Sequence, residues 1–300
     1  MTTIAAAVPR RRARERVRRR RGRLAPLELA VTAGCCGVAL LAGWAALFAL
    51  VLSGLAENSA QARLYAKLRA ELAGVSAAPL GGVIRAGDPV ASLDAPTAGI
   101  SGLVVVEGTG ARQLDLGPGH RPDTPLPGQI GWSVIDGRSV TFGGPFGHLT
   151  RLSRGDELTV TTGEGRFHYR IVGERQAGDP VKASGPGMLT LTTSAGTGWR
   201  SGWAPDHAVY VDAVLLGQPA ATPPGRPNTV PAADREMSGD SSALTPLVLW
   251  LELCVVAVGG TAWAFRKWGL WQGWLVGVPI ALTGLWGASM TAMQLLPNLI

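Results

Sequence analysis

The chain has 300 residues, 46% of them hydrophobic and only 16% charged, a balance that excludes an ordinary soluble protein and points to membrane spans. Its net charge of +7 is local. Ten arginines lie between Arg10 and Arg23 against Glu15 alone, so that stretch carries about +9 and the rest about −2, which excludes a nucleic-acid-binding body. Cys35, Cys36 and Cys254 all sit in apolar runs. No disulfide or metal site is expected from them, and His120, His148, His168 and His207 lack ligand spacing. No cofactor is implied.

In chain order, residues 1–26 read as a basic cytoplasmic tail. Residues 27–55 contain an uncharged run from Leu29 to Leu55, long enough to cross a bilayer. A signal peptide cut near Ala56, or a lipidation box at Thr32–Cys35, is the rival reading; the length of the apolar run argues against both. Residues 56–82 carry Leu64, Leu68 and Leu72 at helical spacing, predicting a stalk helix and then a small-residue linker. Residues 83–217 alternate short β-rich runs with Gly, Pro and Asp, predicting a mainly β domain: a barrel or sandwich. The predicted strands include Trp132–Ile135, Ser139–Phe142, Leu189–Thr193 and Val209–Leu216. Residues 218–243 read as an extended Pro-rich linker. Residues 244–265 and 269–296 are two more apolar spans, separated by Arg266-Lys267 and rich in tryptophan. The positive-inside rule puts the N-terminus and this turn in the cytoplasm and residues 56–243 outside the plasma membrane. Glu252 lies near the outer end of its span, where it reaches the interface or a helix contact.

The β domain resembles the sortases, nearest to the actinobacterial class E type. The resembling words come in family order over about 125 residues. They are Asp88–Leu93, Val105–Thr109, Gly117–His120 with Pro122–Thr124, Gly131–Ser139, Thr141–Phe146, Leu152–Glu157 and Leu189–Ser194. The resemblance implies a closed β-barrel and an envelope transpeptidase. It also puts the family's cysteine on Ser194 and its histidine on Arg138. The family's arginine has no clear counterpart, although Arg200 lies in the loop after Ser194 and His207 near the last strand.

A serine hydroxyl needs an adjacent base to act as nucleophile, and a guanidinium cannot be that base. Three functions follow as expectations. The first is a degenerate sortase-like protein binding a peptide or envelope protein in an open groove formed by Thr192, Thr193, Ser194, Arg138 and His120. The second is a serine-variant transpeptidase or hydrolase, with Ser194 within reach of His207 and helped by Arg200. The third is a structural subunit with a filled groove, its membrane helices docking a partner. At Arg138, side-chain alternation allows either a pair with Asp136 or a place in the groove beside Ser194.

Overall fold

A computed structural model describes residues 26–74, 81–181, 184–196, 205–267 and 270–300. The basic tail, most of the linker after the predicted stalk, and Arg200 lie outside these residues. The chain divides into two units, Met1–Ala46 and Leu47–Ile300. The first contains nearly all of helix α1 (Pro26–Leu47), whose one charged residue is Glu28 in its first turn.

The second unit begins with a π-helical turn, Phe48–Leu52, and helix α2, Ser53–Leu72. Eight strands follow: β1 (Pro89–Ala95), β2 (Ile100–Glu107), β3 (Gly119–His120), β4 (Gly131–Asp136), β5 (Glu157–Thr162), β6 (Gly165–Gln176), β7 (Gly187–Ala195) and β8 (His207–Leu216). A one-turn helix α3, Ala111–Leu114, precedes β3. The strands close into a barrel in the order β1-β2-β3-β4-β7-β8-β6-β5. Side chains of period two fill it: Leu93, Val105, Ile135, Leu158, Tyr169, Leu189, Leu191 and Val211 are buried at the core.

Three expectations change. Ser139–Phe142 is not a strand, although its residues favour one. Phe142, Gly143 and Gly144 have φ of 52°, 73° and 55°, which turns the chain away from the sheet. Helix α2 is not a free stalk, since it docks on the barrel with Leu68 buried. Between them, the Gln61 amide donates to the carbonyls of Val104 (3.0 Å) and Leu116 (2.8 Å) and accepts from the Val104 N–H (2.8 Å). Those bonds cover backbone of β2 that the short β3 leaves open. The Pro-rich stretch likewise lies on the barrel. Arg226 reaches the buried Glu107 at 2.7 Å and the Thr124 carbonyl at 3.0 Å, supplying the cation that a buried carboxylate needs.

Helices α4 (Leu244–Lys267) and α5 (Leu270–Met293) pack as a hairpin. On α5, Gly273, Gly277, Gly284 and Gly287 face Phe265, Thr261, Cys254 and Trp250, where an added Cβ would collide. Small residues of this kind let two apolar helices approach closely. Among the described residues three helical stretches are long and apolar enough to cross a membrane: Ala30–Leu72, Ser241–Lys267 and Trp271–Met293. The ends of the hairpin are joined, with the Asp240 N–H donating to the Gln294 carbonyl at 3.0 Å. After α5, Leu295–Ile300 runs onto the barrel.

Candidate functional site

Strand β7 lies parallel to β4 (Asp136 opposite Thr192) and antiparallel to β8 (Ser194 opposite Ala208). Alternation sends Leu189 and Leu191 into the core, while Thr190, Thr192 and Ser194 share the other face. Thr193 is on the core side, near the Phe146 carbonyl at 3.4 Å.

Ser194 is buried, and its hydroxyl donates to the carbonyl oxygen of Leu299 at 2.6 Å. The Ser139 N–H donates to the same oxygen at 3.0 Å, and the Ser139 hydroxyl lies 3.2 Å from it and 2.7 Å from Ser194 Oγ. One peptide carbonyl is therefore gripped by backbone and hydroxyl donors from the turn after β4 and from the end of strand β7. The Thr141 hydroxyl donates to the Ile300 carbonyl. The Asn298 amide donates to the carbonyls of Ala233 and Arg235, each at 2.8 Å, and its N–H donates to Ser238 at 2.9 Å. Asn298 and Leu299 are both fully buried. Beyond Ser194 a cleft of about 520 Å³ stays open, lined by Ser139, Gly144, Phe146, His148, Thr193 and Ser194. The site is thus filled on one side and open on the other.

Arg138 precedes Ser139 in sequence but is fully buried, with no bond to Ser194. Its guanidinium donates to Asp115 (2.9 Å), the Thr141 hydroxyl (3.0 Å) and the Ala111 carbonyl (3.2 Å), and lies 4.6 Å over the Phe142 ring. Of the two arrangements the alternation allows, the Asp136–Arg138 pair does not form. Asp115, 23 residues away, takes that role because α3 carries it beneath the turn that follows β4. Burial pulls the guanidinium below its ordinary pKa, opposed by Asp115. Burial also raises the Asp115 carboxyl, opposed by Arg138 and by the Gln294 amide, which donates to it at 3.1 Å. Arg138, Asp115 and Gln294 thereby link the site to the end of α5.

Asp136 is buried with neither oxygen in good hydrogen-bond geometry to a partner. Burial, with the charge of Glu236, pushes its carboxyl up to about 7. It lines a second cleft, about 770 Å³, with Arg121, His207, Tyr210, Arg235 and Glu236.

The other sequence-derived candidates are dispersed. His207 bonds Asp206 at 2.8 Å, and no Ser194–His207 bond forms among the described residues. His120 is buried beside Glu107 (3.0 Å) and the Pro125 carbonyl (2.9 Å), sharing no partner with Ser194. Thr192 is buried opposite Asp136. Among the described residues no three His, Cys, Asp or Glu side chains converge to hold a metal ion. Sequence reasoning missed Ser139, Asp115 and the Asn298-Leu299 segment. Only the Pro297-Asn298 break, ending the last apolar run, hinted at the segment.

Residues 93–200 match the family model described as the sortase domain. Sortase D of Bacillus subtilis (strain 168) is 37% identical over 70 residues, which are 23% of this chain and 34% of that protein. The match thus spans about a third of the relative's length. Among solved structures, the Sortase D5 transpeptidase of Clostridium perfringens is 22% identical, with 53% of this chain and 99% of that chain covered at a TM-score of 0.43. Sortase E of Streptomyces avermitilis is 32% identical, with 45% and 93% covered at a TM-score of 0.38. The closed eight-stranded barrel accordingly has the sortase fold, and residues 93–200 within it match the sortase domain.

Proposed function

We propose that this protein is a membrane-anchored, catalytically degenerate sortase-like protein of the cell envelope, which holds a peptide or an envelope protein partner at Ser194 without cleaving it. The observation that carries this reading is the Leu299 carbonyl, held at 2.6 Å by the Ser194 hydroxyl and at 3.0 Å by the Ser139 N–H. A nucleophile must present a lone pair to the carbonyl carbon while a base removes its proton. Ser194 instead spends its proton on the carbonyl oxygen. Its hydroxyl neighbour, Ser139, is no base, and Arg138 holds its proton and is committed to Asp115. Donors on a carbonyl oxygen polarise it, but with no nucleophile or base they bind and do not turn over.

The arginines before span 1 and Arg266-Lys267 support a cytoplasmic N-terminus and an outer barrel. The contact of Leu299 with the barrel supports the same arrangement, because an even number of crossings between β8 and Leu299 returns the chain to the barrel's side. The filled half of the groove favours a second reading, a structural subunit of a membrane assembly.

The test is a turnover assay. The full chain in detergent micelles, given peptides of the sorting-signal type, is expected to release no product, with or without a thiol reductant. Turnover by the wild type that Ser194→Ala abolishes overturns degeneracy in favour of the serine-variant enzyme.

A further inference from the structure

The groove's occupant belongs to the same chain. Leu299 offers its carbonyl to Ser139 and Ser194, and the Ile300 carbonyl accepts from Thr141. One residue earlier, both Asn298 amide protons are used on Ala233 and Arg235 of the segment that follows the barrel. Both side chains are fully buried, although the segment has no regular secondary structure. Each backbone contact is blind to sequence, whereas the buried amide and the buried leucine are not. A peptide lacking the amide would leave two carbonyls unmet, and one lacking the leucine would leave a void.

We infer that Leu296–Ile300 is a resident ligand of the Ser194 site, and that the site selects an amide side chain followed by a buried apolar one. This rests on the peptide-binding reading above and adds the ligand's character and its regulation. A peptide of the same type arriving from another molecule must displace the resident segment. The segment is tethered through α5, and α5 is held by the Asp240–Gln294 and Gln294–Asp115 bonds. Tethering gives it an effective concentration on the order of millimolar. Access to the groove is therefore coupled to the position of the membrane hairpin.

The experiment uses the full chain in lipid nanodiscs and a probe peptide, Gln-Leu-Leu-Pro-Asn-Leu-Ile, with a fluorophore at its N-terminus. Leu299→Asp puts a carboxylate in an apolar site and should expel the resident segment. This variant is expected to bind the probe at least about tenfold more tightly than the wild type, since the competent fraction sets the apparent affinity. Asn298→Ala, a milder change, should fall between the two. Probes with Ala for the Asn, or Gly for the Leu, should bind the Leu299→Asp protein at least about tenfold more weakly than the parent probe. Hydrogen exchange at the Ser139 amide gives a second readout: protected in the wild type, released in Leu299→Asp. Equal probe binding by wild type and variant overturns the resident-ligand inference while leaving peptide binding intact. Indifference to the altered probes overturns the selectivity. No probe binding by either protein, even with the Ser139 amide released, overturns the peptide-binding reading and this inference together.

Discussion

Arg138 and Asp115 show what a buried cation demands of its neighbours. A guanidinium at a fully buried position needs an opposite charge and donors' partners on each side, and it has Asp115, Thr141, Ala111 and the Phe142 ring. Arg138→Met removes the cation and strands the Asp115 carboxylate. We expect a loss of about 3–5 kcal/mol and a melting temperature lower by about 10 °C, read by scanning fluorimetry. The double variant Arg138→Met/Asp115→Leu should recover most of the loss. Asp136 gives a pH signature. Its carboxyl titrates at about 7 in the folded protein against an ordinary 3.8, so the folded state keeps a proton that the unfolded chain releases between about pH 4 and pH 7. Its contribution to stability therefore falls as pH rises through that window, by at most about 1.4 kcal/mol per unit, and is flat above it. Asp136→Asn should match the wild type near pH 4 and melt higher than it at pH 8.

At the scale of elements, the α4–α5 hairpin carries the segment that fills the groove. Its close approach depends on glycines, as at Gly284, where a Cβ would lie 2.9 Å from Cys254 Sγ. Gly284→Leu should separate the helices at a cost of about 1–3 kcal/mol and speed hydrogen exchange at the Ser139 amide, even though position 284 lies in the apolar span. The strands were largely legible in the sequence, because β-branched alternation bounded by Gly and Pro is a local signal. β7 and β8 emerge within two residues of their expected limits. Ser139–Phe142 was misread because a left-handed Phe142 is dictated by Arg138 beneath its ring and by Ser53, which accepts from its N–H at 2.9 Å. Neither contact is local. The position of Ser194 at the end of β7 was readable. Its bond to Leu299, 105 residues on, was not, because an apolar tail after a long apolar helix looks like the end of that helix.

For the whole molecule, the barrel, the covering segment after β8 and the hairpin form a circuit that returns to Ser194. In the topology we propose, that circuit closes on the outer side of the membrane. Single cysteines placed in a chain whose own Cys35, Cys36 and Cys254 are replaced should report it. An impermeant maleimide on intact cells is expected to label position 229, in the segment after β8, and to spare position 267. Labelling at 267 contradicts the three-span arrangement. The chain carries a built-in substrate that tests whether Ser194 holds a peptide carbonyl without attacking it. If Ser194 were a competent nucleophile, the bond at risk would be Leu299–Ile300, whose carbonyl it already touches. Intact-mass spectrometry of the full chain in nanodiscs, after prolonged incubation with an added amine such as triglycine, measures this directly. An unchanged mass is expected. Loss of Ile300, with water or the amine in its place, and its suppression by Ser194→Ala, would contradict it.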